Sequence, residues 1–216
     1  MKTRATVLAV LALATTMAFA QSSGSFNYNI AQTACTDTSG LLGTGVTVPA
    51  LKTTMKVSSG NGIVLLVRPS AVVGLLTDVT VNSKNNTGSA QAGVNFTMNV
   101  TPLSGQAAPT VTPNFPVTYE DRYIQISTNL FQAISAACTT FDPLNGCFFT
   151  FNETTLSAHS FDWVISNLTS GNYGIEVDWA PYTSAVAPNT AQTCVGPVVL
   201  TAEQAKIFNQ NTGISF

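Results

Sequence analysis

Residues Tyr173–Trp179 read YGIEVDW, and this alternation of apolar and polar side chains decides the fold class. Period-two alternation sends one row of side chains into a core and the other row into solvent, as in a half-buried β-strand. The segment Ser160–Ile165 carries its large apolar residues at the same spacing. We predict that the two segments are paired strands joined across Asn167–Asn172, with Trp163 and Trp179 buried in one core.

Similar alternation recurs along the chain between loops that are rich in Gly, Asn and Ser. Four further segments form two predicted pairs and a fifth stands alone: Leu51–Val57 with Ile63–Val67, Leu75–Val81 with Val94–Thr101, and Phe148–Leu156. Many short strands without alternating helices indicate an antiparallel β-sandwich, of Ig-like or jelly-roll type, with at most one or two short helices.

Three segments carry weaker patterns. Thr128 is predicted to cap a short helix that begins at Asn129, because a threonine hydroxyl can accept a hydrogen bond from the first helical turn. Thr201–Phe208 fits either a helix with a capping box or the closing strand of the sandwich, and we favour the strand. The Pro- and Ala-rich stretch Thr101–Pro116 is predicted to be a surface connection.

The N-terminus has the three parts of a secretory signal. Lys2 and Arg4 precede the uncharged run Ala5–Phe19, and small residues follow at the expected cleavage site. The run is shorter than the roughly 20 apolar residues of a membrane-spanning helix. We therefore predict that Met1–Ala20 is a signal peptide and that residues 21–216 form one secreted domain, periplasmic or extracellular, without a membrane span.

Four cysteines follow the predicted signal: Cys35, Cys138, Cys147 and Cys194. An even number of cysteines in an exported protein indicates disulfide bonds, whereas their spacing and the single histidine disfavour a metal site. Four cysteines allow three connectivities. We favour Cys138–Cys147, since the turn-forming residues 142–146 would return the chain to a bridgeable distance, and Cys35–Cys194 is then left.

Charge is scarce in this chain, at 8% of the residues, and the eight basic residues are spread thinly. Phosphate backbones and anionic membrane surfaces both require clustered positive charge. We therefore predict that neither nucleic acid nor an anionic membrane is a partner, and that neutral Ser, Thr and Asn side chains cover most of the surface.

His159 is the single histidine, and it lies in the run LSAHSFD that ends at Asp162. A serine hydrolase would need a hydroxyl, this histidine as base and a carboxylate such as Asp162 to converge. Adjacent residues of a strand point to opposite faces, and the chain has no G-x-S-x-G elbow. We therefore predict no catalytic residue.

Glu176 and Asp178 lie two residues apart on the Tyr173–Trp179 strand, so both project from its polar face. A backbone separation of about 6.6 Å is compatible with the paired carboxylates of a glycan hydrolase or lyase. With loop carbonyls added, the same pair would suit calcium. The sequence shows neither a cleft nor an EF-hand loop, so we favour a solvated outer face.

Tyr119, Tyr123 and Tyr182 lie among polar residues, which makes them candidates for exposed rings that bind a ligand. Exposed aromatic rings in secreted β-sandwich modules stack against sugar rings. Trp163 and Trp179 lie on the apolar side of their strands and are assigned to the core instead.

Two parts of the chain resemble uncharacterised secreted β-rich proteins of soil bacteria. The resemblance is carried by Gly60–Leu65 running on to Pro69–Leu75, and by Leu156–Phe161. It implies bacterial export and a β fold, and it implies no activity and no catalytic residue.

These features together predict a secreted, non-catalytic β-sandwich protein without a cofactor, which has a structural or binding role at or outside the cell surface. Its expected partner is a glycan or another cell-surface component. Two alternatives stay open: a carbohydrate-binding module that uses the three tyrosines, and a small carboxylate-dependent glycan hydrolase or lyase.

Overall fold

The computed structural model describes residues 25–37, 50–58, 62–82, 85–136 and 147–206, so the predicted signal peptide Met1–Ala20 lies outside the described residues. The described residues form eleven β-strands and one short helix, α1 (Thr128–Ser135). The strands in chain order are β1 (Phe26–Ala31), β2 (Ala34–Asp37), β3 (Leu51–Val57), β4 (Ile63–Asn82), β5 (Gly88–Pro102), β6 (Thr110–Thr112), β7 (Val117–Ile126), β8 (Phe148–Ser160), β9 (Trp163–Ser166), β10 (Gly171–Ala185) and β11 (Thr190–Lys206). The predicted antiparallel β-sandwich is confirmed.

The strands form two sheets in which every pairing is antiparallel. Sheet A has seven strands built around the long neighbours β4 and β11. β1 and β2 pair with the far edge of β11, β8 and β9 pair with the far edge of β4, and β6 adds to β9. Sheet B has four strands in the order β3-β10-β5-β7.

One hydrophobic core fills the space between the two sheets. Strand β4 shows the reason, because nearly every second residue along its length is buried and the residues between them are not. The largest fully buried side chains are those of Trp163 and Tyr173, one from each sheet. Trp179 is also buried, so the prediction that both tryptophans belong to the core is confirmed.

The predicted strand pairs are wrong in their partners, although most of the predicted segments lie in strands. Ile63–Val67 and Leu75–Val81 are parts of one strand, β4, and the segment Ser160–Ile165 spans the end of β8 and the start of β9. β9 belongs to sheet A and β10 to sheet B, so the two lie on opposite sides of the core instead of pairing. In the same way, β3 and β5 lie in sheet B while β4 lies in sheet A. Alternation shows which face of a strand is buried, but that pattern is the same for a hairpin partner and for a strand in the opposing sheet.

Side chains close the sandwich along the side where β1 and β3 meet. The side-chain amides of Asn27 and Asn29 in β1 donate to the carbonyl oxygens of Thr54 and Lys52 in β3, at 2.9 and 2.7 Å. Because β10 is the only described strand that pairs with β3, these bonds satisfy carbonyl groups on the other edge of β3 and join the two sheets.

Gly196 lies at an irregularity in β11, where the register against β4 shifts between Val195 and Val198. Its φ is +124°, and a Cβ atom there would lie 2.6 Å from the Cα atom of Thr33, in the link between β1 and β2. A residue without a side chain therefore lets β11 bulge at the point where its partner changes from β1 to β2.

Three local predictions have different outcomes. The helix cap is Ser127 and not Thr128, because the Ser127 hydroxyl accepts from the backbone N–H of Leu130 at 3.3 Å. Residues 101–116 hold the strand β6 as well as a connection. Residues 201–206 continue β11, so the favoured strand is confirmed over the described residues, while 207 and 208 lie outside them.

The disulfide between Cys35 and Cys194 is confirmed, and it joins directly opposed residues of β2 and β11 that are 159 positions apart in sequence. Cys147 is also disulfide-bonded, and its predicted partner, Cys138, lies outside the described residues. Among the described helical residues, no helix has the length and hydropathy needed to cross a membrane.

Candidate functional site

A polar cluster lies between β7 and β8, at the edge of the core. Glu120 and His159 point into the sandwich because the residues opposite them, Val94 and Ala71, are core residues of β5 and β4. The Nε2 atom of His159 is 2.6 Å from Oε2 of Glu120 and 2.6 Å from Oγ of Ser157. The Ser157 hydroxyl donates to the same Glu120 oxygen at 2.9 Å.

This cluster joins the two sheets, because Glu120 belongs to β7 of sheet B while Ser157 and His159 belong to β8 of sheet A. We call it the inter-sheet clamp. In a catalytic relay, the nucleophile and the orienting carboxylate contact different ring nitrogens of the histidine. Here Ser157 and Glu120 approach one nitrogen of His159, Nε2, and among the described residues no hydrogen bond to the other nitrogen orients the ring as a base for the hydroxyl. The contact between Glu120 and His159 has no sequence signal, because only the packing of the two sheets brings these residues together.

Asp162, the carboxylate that the sequence offered to His159, is engaged elsewhere. Its two carboxylate oxygens accept from Nε and Nη2 of Arg68 in β4, at 2.6 and 2.7 Å. The hydrogen bonds from Arg68 hold the pKa of Asp162 below its usual value. The grouping of serine, His159 and Asp162 therefore does not form, and Glu120 is the carboxylate beside the histidine.

Arg122 of β7 adds a second set of contacts to β8, next to the inter-sheet clamp. Its side chain is only 10% exposed. Its guanidinium group donates to the carbonyl oxygen of Glu153 at 3.0 Å and to the hydroxyl of Thr155. The Nε atom also lies 3.9 Å from the Glu153 carboxylate. A largely buried guanidinium group requires such partners, so these contacts fix β7 over β8.

Tyr119 was a candidate for ligand binding, but it is only 7% exposed. Its hydroxyl donates to the carbonyl oxygen of Pro69 at 2.7 Å, and its ring stacks on Phe96 with centroids 4.0 Å apart. The register of β7 against β5 shifts at this point, which turns Tyr119 toward the core. Burial raises its pKa. Tyr119 therefore presents no ring to a ligand, which corrects the expectation of exposure.

Tyr182 lies on the outer face of sheet B, away from the core. It is directly opposite Gly93 of β5, which is in turn opposite Asp121 of β7. A Cβ atom on Gly93 would lie 2.3 Å from both the Cζ atom and the hydroxyl oxygen of Tyr182, so the ring crosses over this glycine. Burial together with the nearby Asp121 carboxylate raises the pKa of Tyr182 to about 12.

Tyr123 lies one row further along the same face, and 57% of its surface is exposed. It is opposite Gln91, whose side-chain amide donates to Asp121 at 3.0 Å. We call Gly93, Gln91, Asp121, Tyr123 and Tyr182 the tyrosine face. Apart from Ala180, the other outer-face side chains around it are neutral and polar: Ser89, Asn95, Thr97, Thr118, Gln125 and Ser184.

Glu176 and Asp178 lie on the outer face of sheet B, further along β10 from Tyr182. Glu176 lies 3.0 Å from the Nζ atom of Lys52, and Asp178 accepts from the Asn99 side chain at 3.0 Å. Each carboxylate thus has its own lateral partner on the sheet surface. In the described part of the chain, no group of three or more His, Cys, Asp or Glu residues is placed to hold a metal ion.

Comparison with known proteins adds no assignment to this geometry. No protein-family model matches the chain, and no curated protein matches it.

Proposed function

We propose that this protein is a non-catalytic extracellular binding protein that recognises a neutral glycan through the tyrosine face. The observation that carries the proposal is the Tyr182 ring, which crosses over Gly93 on the outer face of sheet B. A pyranose ring has an apolar C–H face that packs on an aromatic ring and a rim of hydroxyl groups. A tyrosine ring that is already fixed loses little conformational entropy when a sugar binds to it.

The charges around this ring favour a neutral ligand. Asp121 already accepts from the side-chain amide of Gln91 at 3.0 Å. Glu176 is paired with Lys52. A charged ligand would have to compete with these contacts, whereas sugar hydroxyl groups can bond to the neutral amides and hydroxyls that surround the tyrosine face.

The proposal excludes catalysis because the titratable side chains are used to hold the sandwich together. His159 shares one nitrogen between Glu120 and Ser157. The lateral partners of Glu176 and Asp178 leave no converging pair for a hydrolase or lyase. The extracellular location is supported by the predicted signal peptide and by a disulfide bond of the kind that persists in oxidising compartments.

The test is calorimetric titration with linear β-1,4-linked hexasaccharides of glucose, xylose and mannose. We expect wild-type protein to bind at least one of them. We expect Tyr182→Ala to lower the affinity about tenfold or more, because an aromatic stacking contact of this kind contributes up to about 1.5 kcal/mol beyond its buried area. Tyr123→Ala should also weaken binding, since its exposed ring lies on the next row.

Tyr28→Ala is the matched control, because Tyr28 is 60% exposed but belongs to β1 in sheet A. This variant should bind as wild type does. Two results would overturn the proposal: no binding of any of the three hexasaccharides to wild-type protein, or an equal loss of affinity in the Tyr28 and Tyr182 variants.

A further inference from the structure

A polar cleft lies at the end of sheet B that is beyond Tyr123. Its volume is about 190 Å³, and it is lined by Asn85, Thr87, Ser89, Gln125, Val186 and Asn189. Sites that enclose drug-sized ligands usually measure about 300–1,000 Å³. This cleft is smaller, so it suits one small ring and not a whole oligosaccharide.

Asn189 is a fixed part of the cleft wall and is only 5% exposed. Its side-chain oxygen accepts from the backbone N–H of Thr80 at 2.9 Å, and its side-chain nitrogen donates to the carbonyl oxygen of Ser89 at 3.3 Å. These bonds link β4 and β5 across the end of the sandwich. Asn189 thus ties the loop before β11 to the ends of β4 and β5, and Ser89 and Gln125 add side chains from β5 and β7.

Other side chains of the cleft keep their hydrogen-bonding capacity. Those of Thr87, Ser89 and Gln125 make no hydrogen bond to the part of the chain that the structure describes. Each is neutral and offers both a donor and an acceptor. Val186, which is 72% exposed, adds an apolar contact. Neutral donors and acceptors beside one apolar contact match the chemistry of a single sugar ring.

The cleft is continuous with the tyrosine face. Gln125 is opposite Ser89, and Tyr123 is opposite Gln91 on the neighbouring row. Rows on one face of a strand are about 6.6–6.8 Å apart. A linear ligand that crosses Tyr182 and Tyr123 therefore meets the cleft next, and the size of the cleft allows one ring to enter.

We propose that the cleft binds the terminal residue of a neutral glycan whose preceding residues lie on the tyrosine face. The inference rests on the proposed function for the class of ligand. It adds that the protein recognises the end of a glycan chain and not its interior.

The experiment uses the hexasaccharide that binds wild-type protein in the titrations above, together with two derivatives that carry a bulky aromatic tag at one end or at the other. We expect one of the two tags to lower the affinity of wild-type protein about tenfold, because a tagged terminal residue does not fit the cleft. Gln125→Leu and Thr87→Val keep the size of the side chain and remove hydrogen bonds. Each variant should bind the untagged sugar several-fold more weakly than wild-type protein does. Each should also show a smaller difference in affinity between the untagged sugar and the derivative whose tag weakens binding to wild-type protein.

Gln132→Leu is the matched control, because Gln132 is exposed on α1 and its side chain makes no hydrogen bond to the described residues. This variant should bind the untagged hexasaccharide and the tagged derivatives with the same affinities as wild-type protein. If Tyr182→Ala abolishes binding while both tagged sugars and both cleft variants bind normally, the cleft proposal is wrong and the proposed function stands. If no untagged hexasaccharide binds wild-type protein, both proposals fall.

Discussion

Gly93 and Tyr182 are directly opposed on β5 and β10, and the ring lies where the side chain of any other residue at position 93 would be. Gly93 is buried although it points to the outer face of sheet B, because the ring covers it. The sequence singled out Tyr182 from its polar neighbours. It did not single out Gly93, since the role of this glycine depends on a cross-strand partner that only the register reveals.

The Gly93→Ala variant keeps the Tyr182 ring but moves it, so it tests whether the position of the ring matters for glycan affinity. The new methyl group would displace the Tyr182 ring from its place over position 93, so we expect glycan affinity to fall about as far as in Tyr182→Ala. Calorimetric titration with the same hexasaccharide measures this effect.

Gly174→Ala is the control for this substitution. Gly174 is on the same outer face of β10, but a Cβ atom there would make only an ordinary contact, 3.5 Å from a side-chain atom of Leu103. It should bind as wild type does. Normal binding by Gly93→Ala would mean that the crossed position of the ring has no part in recognition.

At the scale of whole elements, the contact between β7 and β8 is one that the sequence did not predict. They belong to different sheets and are joined by Arg122 and by the cluster of Glu120, Ser157 and His159. Polar residues at these positions suggest a solvated face when only the alternation is considered. Their true position follows from the register of both strands against core strands, which is a property of the tertiary structure.

Arg122→Met should lower the free energy of unfolding by about 1.5–3 kcal/mol, the usual contribution of hydrogen bonds to a charged group. The substitution keeps an apolar stem but leaves the carbonyl oxygen of Glu153 and the hydroxyl of Thr155 without this donor. Urea denaturation followed by circular dichroism measures the change. Lys56→Met, at an exposed position of β3, should change stability by less than about 0.5 kcal/mol. Equal stability of the two variants would show that Arg122 does not hold β7 to β8.

For the whole molecule, the sequence predicted the class of fold and the positions of most strands, because period-two alternation is a local property. It did not predict which strands share a sheet. Three predicted pairs instead cross from one sheet to the other, as β9 and β10 do. Sheet assignment depends on packing between distant segments, and local alternation is equally consistent with both arrangements.

The disulfide between Cys35 and Cys194 ties an early strand to a late one and should stabilise the whole sandwich. Because it closes a loop of 159 residues, we expect the double variant Cys35→Ala/Cys194→Ala to lose about 2–5 kcal/mol of unfolding free energy. Thermal and urea unfolding under oxidising conditions measure the loss. The control, Ser70→Ala/Ser160→Ala, changes a cross-strand pair in sheet A that is not covalently linked. An unchanged unfolding midpoint in the cysteine variant would contradict this prediction.

The central claim is that the outer face of sheet B is the binding surface. The most direct measurement is the change in backbone amide chemical shifts when the best-binding hexasaccharide is added to isotopically labelled protein. We predict that the largest changes fall on Gly93, Asp121, Tyr123 and Tyr182. Changes confined to sheet A, for example around Tyr28, or no changes at saturating sugar, would contradict the claim.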